Sequence, residues 1–226
     1  MTAAKLTVIV PALNEALAIT PMLQSLTPLR ARGVQVIVVD GGSQDDTVAL
    51  ARPLTDHIVT SARGRAQQMN AGAAIANGAT LLFLHADTRL PPDADELVLS
   101  AVRSGEVWGR FDVTIAGRAP MLRLVGALMN LRSRTTGIAT GDQAIFVRAN
   151  IFADVGGFPE QPLMEDIEIS KRLKQVARPA CLRARVVTSG RRWETHGVWR
   201  TIVLMWYLRW RYWRGESPAQ LKRAYR

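Results

Sequence analysis

Cysteine is all but missing: Cys181 stands alone among 226 residues. That excludes an internal disulfide framework and fits a reducing, cytoplasmic setting. Flanked by Pro179, Ala180 and Leu182 and without a histidine pattern beside it, Cys181 reads as a small core or strand residue, a catalytic thiol being the alternative. A long apolar run is missing as well. The candidate, residues 201–208, falls far short of the about 20 residues a membrane-spanning helix needs. Nothing at the start resembles a leader, since Lys5 passes straight into a strand. No repeat or low-complexity tract interrupts the chain. Acids are scarce only at its end: residues 171–226 hold 15 Lys/Arg against Glu194 and Glu216, whereas residues 1–170 hold 14 against 17. The net charge of +10 belongs to the last quarter, and an anionic surface partner is expected for that end alone.

What is present is a rhythm. Apolar strands over 6–10, 34–39, 57–60 and 80–84 alternate with helical stretches over 16–31, 46–52, 65–77 and from Pro91 to Arg103. This predicts an α/β fold, a Rossmann-like and mostly parallel sheet with helices on both faces. After residue 105 the rhythm loosens: strand 107–115, helix 119–133, strand 143–148, helix 164–177 and strand 181–188. A 48% apolar content supplies one sizeable core. We expect a single domain over 1–197, with a nucleotide-binding half to about 105 and an acceptor-handling half over 106–197, then a basic aromatic helix and tail over 198–226.

In an open α/β sheet, ligands bind beyond the carboxyl ends of the strands. Pro11, Asn14 and Glu15 stand at the first such end, where Asn14 alternatively caps the following helix. Asp40 ends the second strand, placed to accept hydrogen bonds from a base or ribose; the alternative is a tight turn through Gly41 and Gly42 with Ser43 or Asp45 capping the next helix. Arg63 and Arg65 oppose the dipole of the helix they open, which an anion such as a diphosphate would relieve; Asn70 follows. His85 and Asp87 end the fourth strand on one side of it, where a carboxylate can hold a divalent metal against phosphate oxygens or cap a turn. Asp142 and Gln143 sit at the mouth of a later strand, candidates for contact with an acceptor or a phosphate. Glu165 and Asp166 open a helix, one able to face a pocket as a general base while the other faces solvent; Glu168 is an ordinary dipole partner.

The strings PALNE, VVDGGSQDDT, RGRAQQMNAG, FLHADT, TGDQAIFVR and MEDIEIS, in that order, resemble the family 2 glycosyltransferases of GT-A fold. The match runs over 6–173 and extends to RRWETHG at 191–197. It implies an inverting, non-processive transferase using a nucleotide-diphosphate sugar, UDP by default, with Mg²⁺ or Mn²⁺. Asp40 would contact the nucleoside, the Pro11–Glu15 loop would form the other wall, and Arg65 and Asn70 would border the site. Asp87 matches the last acid of the D-x-D metal motif, and Asp166 the acid of the E-D motif, the base that deprotonates the acceptor. Residues 134–142, with Gly137 and Gly141, are the segment expected to close over the donor.

Two departures stand out. His85 replaces the first acid of D-x-D, and imidazole lacks the charge that helps hold Mg²⁺. Ser189-Gly190-Arg191-Arg192-Trp193 keeps Arg-Trp of the processive enzymes' Q-x-x-R-W but lacks its glutamine; Arg192 then contacts phosphate and Trp193 stacks on an acceptor, or both are surface packing. In the tail, Trp199, Trp206, Trp210 and Trp213 alternate with Arg200, Arg209, Arg211 and Arg214. Such a helix suits an anionic headgroup region at the inner face of a cell membrane, consistent with a lipid-linked acceptor; the alternative is packing on the sheet with snorkelling arginines. Three rival readings remain: a nucleotidyltransferase, which calls for a Gly-rich, Arg-containing loop that PALNEA is not; a nucleic-acid binder, opposed by the acidic body; and a silent membrane module, which His85 allows.

Overall fold

The computed structural model describes residues 5–225, without the side chains of His196 and Tyr225; the first residues, on which the leader reading rests, lie outside the described residues. One sheet runs through the chain in the order β3-β2-β1-β4-β7-β6-β8-β5, with β1 Leu6–Ala12, β2 Gln35–Asp40, β3 His57–Thr60, β4 Thr80–Phe83, β5 Thr88–Arg89, β6 Trp108–Ala116, β7 Phe146–Arg148 and β8 Ala180–Ser189. The strands β1 to β4 pair in parallel. β7 runs antiparallel to both β4 and β6, so β6, and β8 parallel to it, point the same way as the first four. All six parallel strands therefore end on one rim of the sheet, and β7, running backwards, begins there. Every residue of β1 is buried, as the unbroken apolar run LTVIVPA requires of a strand covered on both faces.

Side-chain alternation divides the core. Val8 and Val10 pack on α1 (Ala16–Ala31) through Leu23 and Leu26, while Ile9 points to the other face with Ala66 and Met69 of α3 (Arg65–Ile75). The expected strands and helices are present with ends shifted by a residue or a few. The third helix stops at Ile75 rather than 77, where Ala76 turns extended and Asn77 N–H donates to Gln35 Oε1. Three short elements escape the sequence rhythm: β5, α6 (Ala149–Asp154) and α8 (Arg191–His196). β5 pairs with the end of β8, Thr88 opposite Thr188.

Beneath the rim, α5 (Met121–Thr136) is fastened to β6 by polar groups. The Asn130 side chain bonds both the N–H and the C=O of Val113. Arg110, fully buried, pairs with Asp112 and also donates to Ser133 Oγ; Arg134 reaches the other oxygen of Asp112 at 2.6 Å. The C-terminal helices α9 (Val198–Trp213) and α10 (Pro218–Tyr225) pack mainly on other helices, α9 also joining a cluster that contains Ile115 of β6. Leu208 and Leu221 bury against Met164 and Ile167 at the start of α7 (Glu165–Val176), and Val198 and Ile202 meet Val125 and Met129 of α5. Among the described residues no helix is long and apolar enough to cross a membrane.

Candidate active site on the carboxyl rim

The β1 and β2 loops are welded together. Asn14, held at a left-handed φ of 54°, donates its N–H to Ser43 Oγ and accepts from Gln44 N–H at 2.8 Å. Glu15 N–H donates to Thr47 Oγ1, and Asp45 accepts from Ala16 N–H. Asn14 thus bridges loops and makes no cap on α1. Asp40 is 5% exposed and accepts the N–H groups of Gly42 and Ser43, so the tight-turn reading describes its internal bonds. Gln68 of α3 sits beneath, donating to the carbonyls of Ala12 and Val39. Sequence reading missed Gln68, whose signal is a polar side chain facing inward in an alanine-rich helix.

Across the cleft, His85 and Asp142 meet at 3.3 Å. Gly141 allows this, because a Cβ there would collide with the imidazole ring. Burial pushes the Asp142 carboxyl up, but the hydrogen bond and charge of His85, with the charges of Arg65 and Arg192, outweigh it and hold Asp142 below the usual carboxylate range. Pairing of β5 with β8 sets Asp87 beside the end of β8, where its carbonyl accepts from Ser189 N–H. The fourth-strand motif and the Arg-Trp segment of α8 are therefore neighbours. Arg191 extends from α8 to Glu15 at 3.4 Å and closes the ring of loops, a contact not foreseen from the sequence.

Asp166 lies in the first turn of α7 and accepts from Gly141 N–H (3.1 Å) and Ile167 N–H (2.8 Å). Burial, then the adjacent Glu165 charge, push its carboxyl up to about 6 against the pull of those amides. Glu165 itself is buried, 6% exposed, so it is not the member of the pair that faces solvent.

Three predicted residues hold structure instead of facing the cleft. The Asn70 amide is taken up by the backbone N–H and C=O of Phe158. Gln143 is fully buried and completes a capping box with Thr140. Trp193 packs on Ile115, Leu122 and Val125. Nor does 134–142 hang free: Ala139 N–H donates to Ser170 Oγ, Gly141 N–H to Asp166, and Lys174 to the Thr136 carbonyl.

No cluster of three or more metal-binding side chains occurs among the described residues. The donors at hand are Asp87 and the His85–Asp142 pair. That set fits a divalent ion shared with substrate phosphates, which commonly uses one or two carboxylates, and does not fit an all-protein cage.

A sheet with its polar side chains gathered on the carboxyl rim, an antiparallel strand let into it, and an acid-opened helix beside that rim defines the GT-A fold. The S. aureus TarS structure with UDP-GlcNAc shares it with a TM-score of 0.67 at 20% identity, over 82% of this chain and 58% of that one. The mannosyltransferase PcManGT from Pyrobaculum calidifontis, in complex with GDP-Man and Mn²⁺, does so at 0.59 and 21%, over 83% and 57%. The family model described as glycosyl transferase family 2 matches residues 7–153, and the chain belongs to that family. A curated relative is the PGL/p-HBAD biosynthesis glycosyltransferase of Mycobacterium tuberculosis, 31% identical over 171 residues, which cover 70% of this chain and 64% of that protein. The chain thus spans somewhat less than two thirds of the length of the curated relative.

Proposed function

We propose that the protein is an inverting glycosyltransferase that moves a sugar from a nucleotide-diphosphate sugar to an acceptor hydroxyl. The observation that carries this reading is the gathering on one rim of a recessed Asp40, the Asp87/His85/Asp142 group and a carboxyl, Asp166, raised to about 6. Asp40 and the loop of Pro11, Asn14 and Glu15 receive the nucleoside; Arg65 and Arg192 lie toward its diphosphate. Asp87 and His85 would share the divalent metal with the phosphates of the donor, and the chemistry it would supply there is to offset charge on the departing nucleotide. Asp166 takes the proton of the acceptor hydroxyl as its oxygen attacks the anomeric carbon from the face opposite the leaving group. Related enzymes support the donor class: TarS is described with UDP-GlcNAc, and PcManGT with GDP-Man and Mn²⁺.

The donor site is tested by thermal-shift binding of UDP, GDP and their sugars, with and without Mn²⁺. Wild type should be stabilised by one nucleotide in a metal-dependent way, by roughly 3 kcal/mol at a hundredfold excess over Kd, and Asp87→Ala should lose that gain. A complete lack of response would favour a silent module.

The second half of the reading is peripheral membrane attachment. Trp199, Val203, Trp206, Trp210 and Trp213 recur at helical spacing along the outward side of α9, between 51% and 82% exposed, with Arg200, Arg211 and Arg214 beside them. An exposed aromatic stripe flanked by arginines suits an anionic bilayer surface. Trp206→Ser/Trp210→Ser should release the protein from vesicles containing phosphatidylglycerol in a flotation assay. Retention equal to wild type would assign the stripe elsewhere.

A further inference from the structure

Resting on the transferase reading, we propose that Arg132 is the anion-binding residue of the acceptor subsite, and that the acceptor carries a phosphate-type group near the hydroxyl that receives the sugar. Arg132 Nε and Nη2 are buried with no hydrogen-bond partner among the described residues, and they are the only buried side-chain nitrogens or oxygens there of which this is true. The two arginines around it, Arg110 and Arg134, both reach Asp112. A buried polar group left unpaired is costly, and a guanidinium more so than a neutral one. Here the cost has a direction. Arg132 follows Val125 and Met129 by seven and three residues, on the stripe of α5 that turns toward α9, and away from the β6-facing side held by Gly126, Asn130 and Ser133.

Asp166 is the acid whose charge acts on Arg132, but its oxygens are occupied by the amides of Gly141 and Ile167, and the two side chains form no ion pair. A cation and a base stand near each other without contact, the arrangement needed to hold an anionic substrate by one group and deprotonate it by the other. The fork of guanidinium N–H groups matches a phosphate. The basic side chains acting on Asp142 at the donor side are His85, Arg65 and Arg192, a separate set. The seam between α5 and α9 is also edged by exposed Leu124, Leu128 and Leu131 on one side and the tryptophan stripe on the other, so an alkyl chain attached to the phosphate would find apolar cover.

The test is calorimetric titration of the full chain, saturated with UDP and Mn²⁺ to fill the donor site, with inorganic phosphate and with octyl phosphate. Wild type should bind phosphate, and Arg132→Gln should weaken that binding by about 10- to 100-fold while leaving UDP affinity unchanged, as expected for losing a charge-assisted bond. Arg132→Lys should fall between them. Because Arg132→Gln removes an unpaired buried charge, its melting temperature should not fall, and it remains a usable variant. Tenfold preference for octyl phosphate would mark a lipid-borne acceptor, and equal affinity a small soluble phosphate; both support the site. No phosphate binding by wild type, equal binding by Arg132→Gln, or loss of UDP affinity in that variant would overturn the proposal. Failure of wild type to bind UDP would count against the transferase reading instead, and the phosphate comparison would then be read on the nucleotide-free protein.

Discussion

Asp166→Asn is expected to lower the transfer rate by about 10²–10⁴-fold while nucleotide affinity stays within twofold of wild type, the span that loss of a positioned general base produces. The asparagine keeps the shape of the side chain and can still accept one of the two N–H groups, that of Gly141 or that of Ile167, which go to different oxygens of Asp166, but its amide nitrogen accepts nothing and cannot take a proton. The pH dependence follows from the raised carboxyl. With its folded value at about 6, Asp166 works as a base only once ionised, so kcat/KM should climb through pH 6 to a plateau above pH 7. The sign for stability is the reverse. A carboxyl that holds its proton more tightly folded than unfolded contributes most below the unfolded value, about 4, and that contribution is lost as pH rises to the folded value. The melting temperature of Asp166→Asn relative to wild type should therefore rise between pH 4 and pH 8, by about 2–4 °C for each kcal/mol of that contribution lost by wild type. Kinetics across pH 5–9 and melting curves at the two extremes check both halves. Full transfer by the variant would remove Asp166 from the base role.

Asp112→Ala carries the largest expected effect on folding, a loss of about 3–5 kcal/mol. The carboxylate answers two guanidiniums, one of them on fully buried Arg110, and its removal leaves that charge only the neutral Ser133 Oγ and Asn130 carbonyl and turns Arg110 and Arg134 on each other. Such a loss is a large share of the roughly 5–15 kcal/mol by which domains are stable. Urea denaturation should show the midpoint falling with the slope unchanged. The joint replacement Arg110→Met/Asp112→Leu removes both charges and should recover much of the loss, because a buried pair replaced by apolar groups is often near neutral. If Asp112→Ala costs under about 1 kcal/mol, the buried network is not what fastens α5 to β6.

Much of the fold was legible because the strands announce themselves. LTVIVPA, VIVVD and LLFLHAD are apolar runs that stop at polar residues, and all three end on the same rim. From that followed the meeting of the Asn14 and Asp40 loops, since parallel strands deliver their termini to one side; the meeting of His85 with Asp142 did not, because Asp142 precedes the antiparallel β7. Less legible was anything set by long-range pairing. β5 is two residues long and exists because Thr88 finds Thr188, a hundred positions away. Motif position suggests Asn70 and Gln143 as cleft residues and leaves Trp193 open between stacking and packing, yet a side chain's neighbours decide what it bonds, and these three spend their groups on Phe158, Thr140 and the α5 packing. Arg132 was invisible for the same reason: in the string RSR nothing separates it from Arg134, and only tertiary placement leaves one paired and the other not.

Because the six parallel strands all finish on one rim, the opposite rim is made largely of the turns that lead into them, with the end of β7 and the start of α6 beside them. Gly33 and Gly105 lie there, exposed, each with a positive φ and open space where a Cβ would sit. Chemistry and chain reversal are thus assigned to different ends of the sheet. Insertions at the reversal end should cost little reactivity, whereas changes at the other end fall on the residues proposed for donor, metal and base. The molecule has a variable pole and a constrained pole, and a tether or dye placed on the first would watch the second without disturbing it.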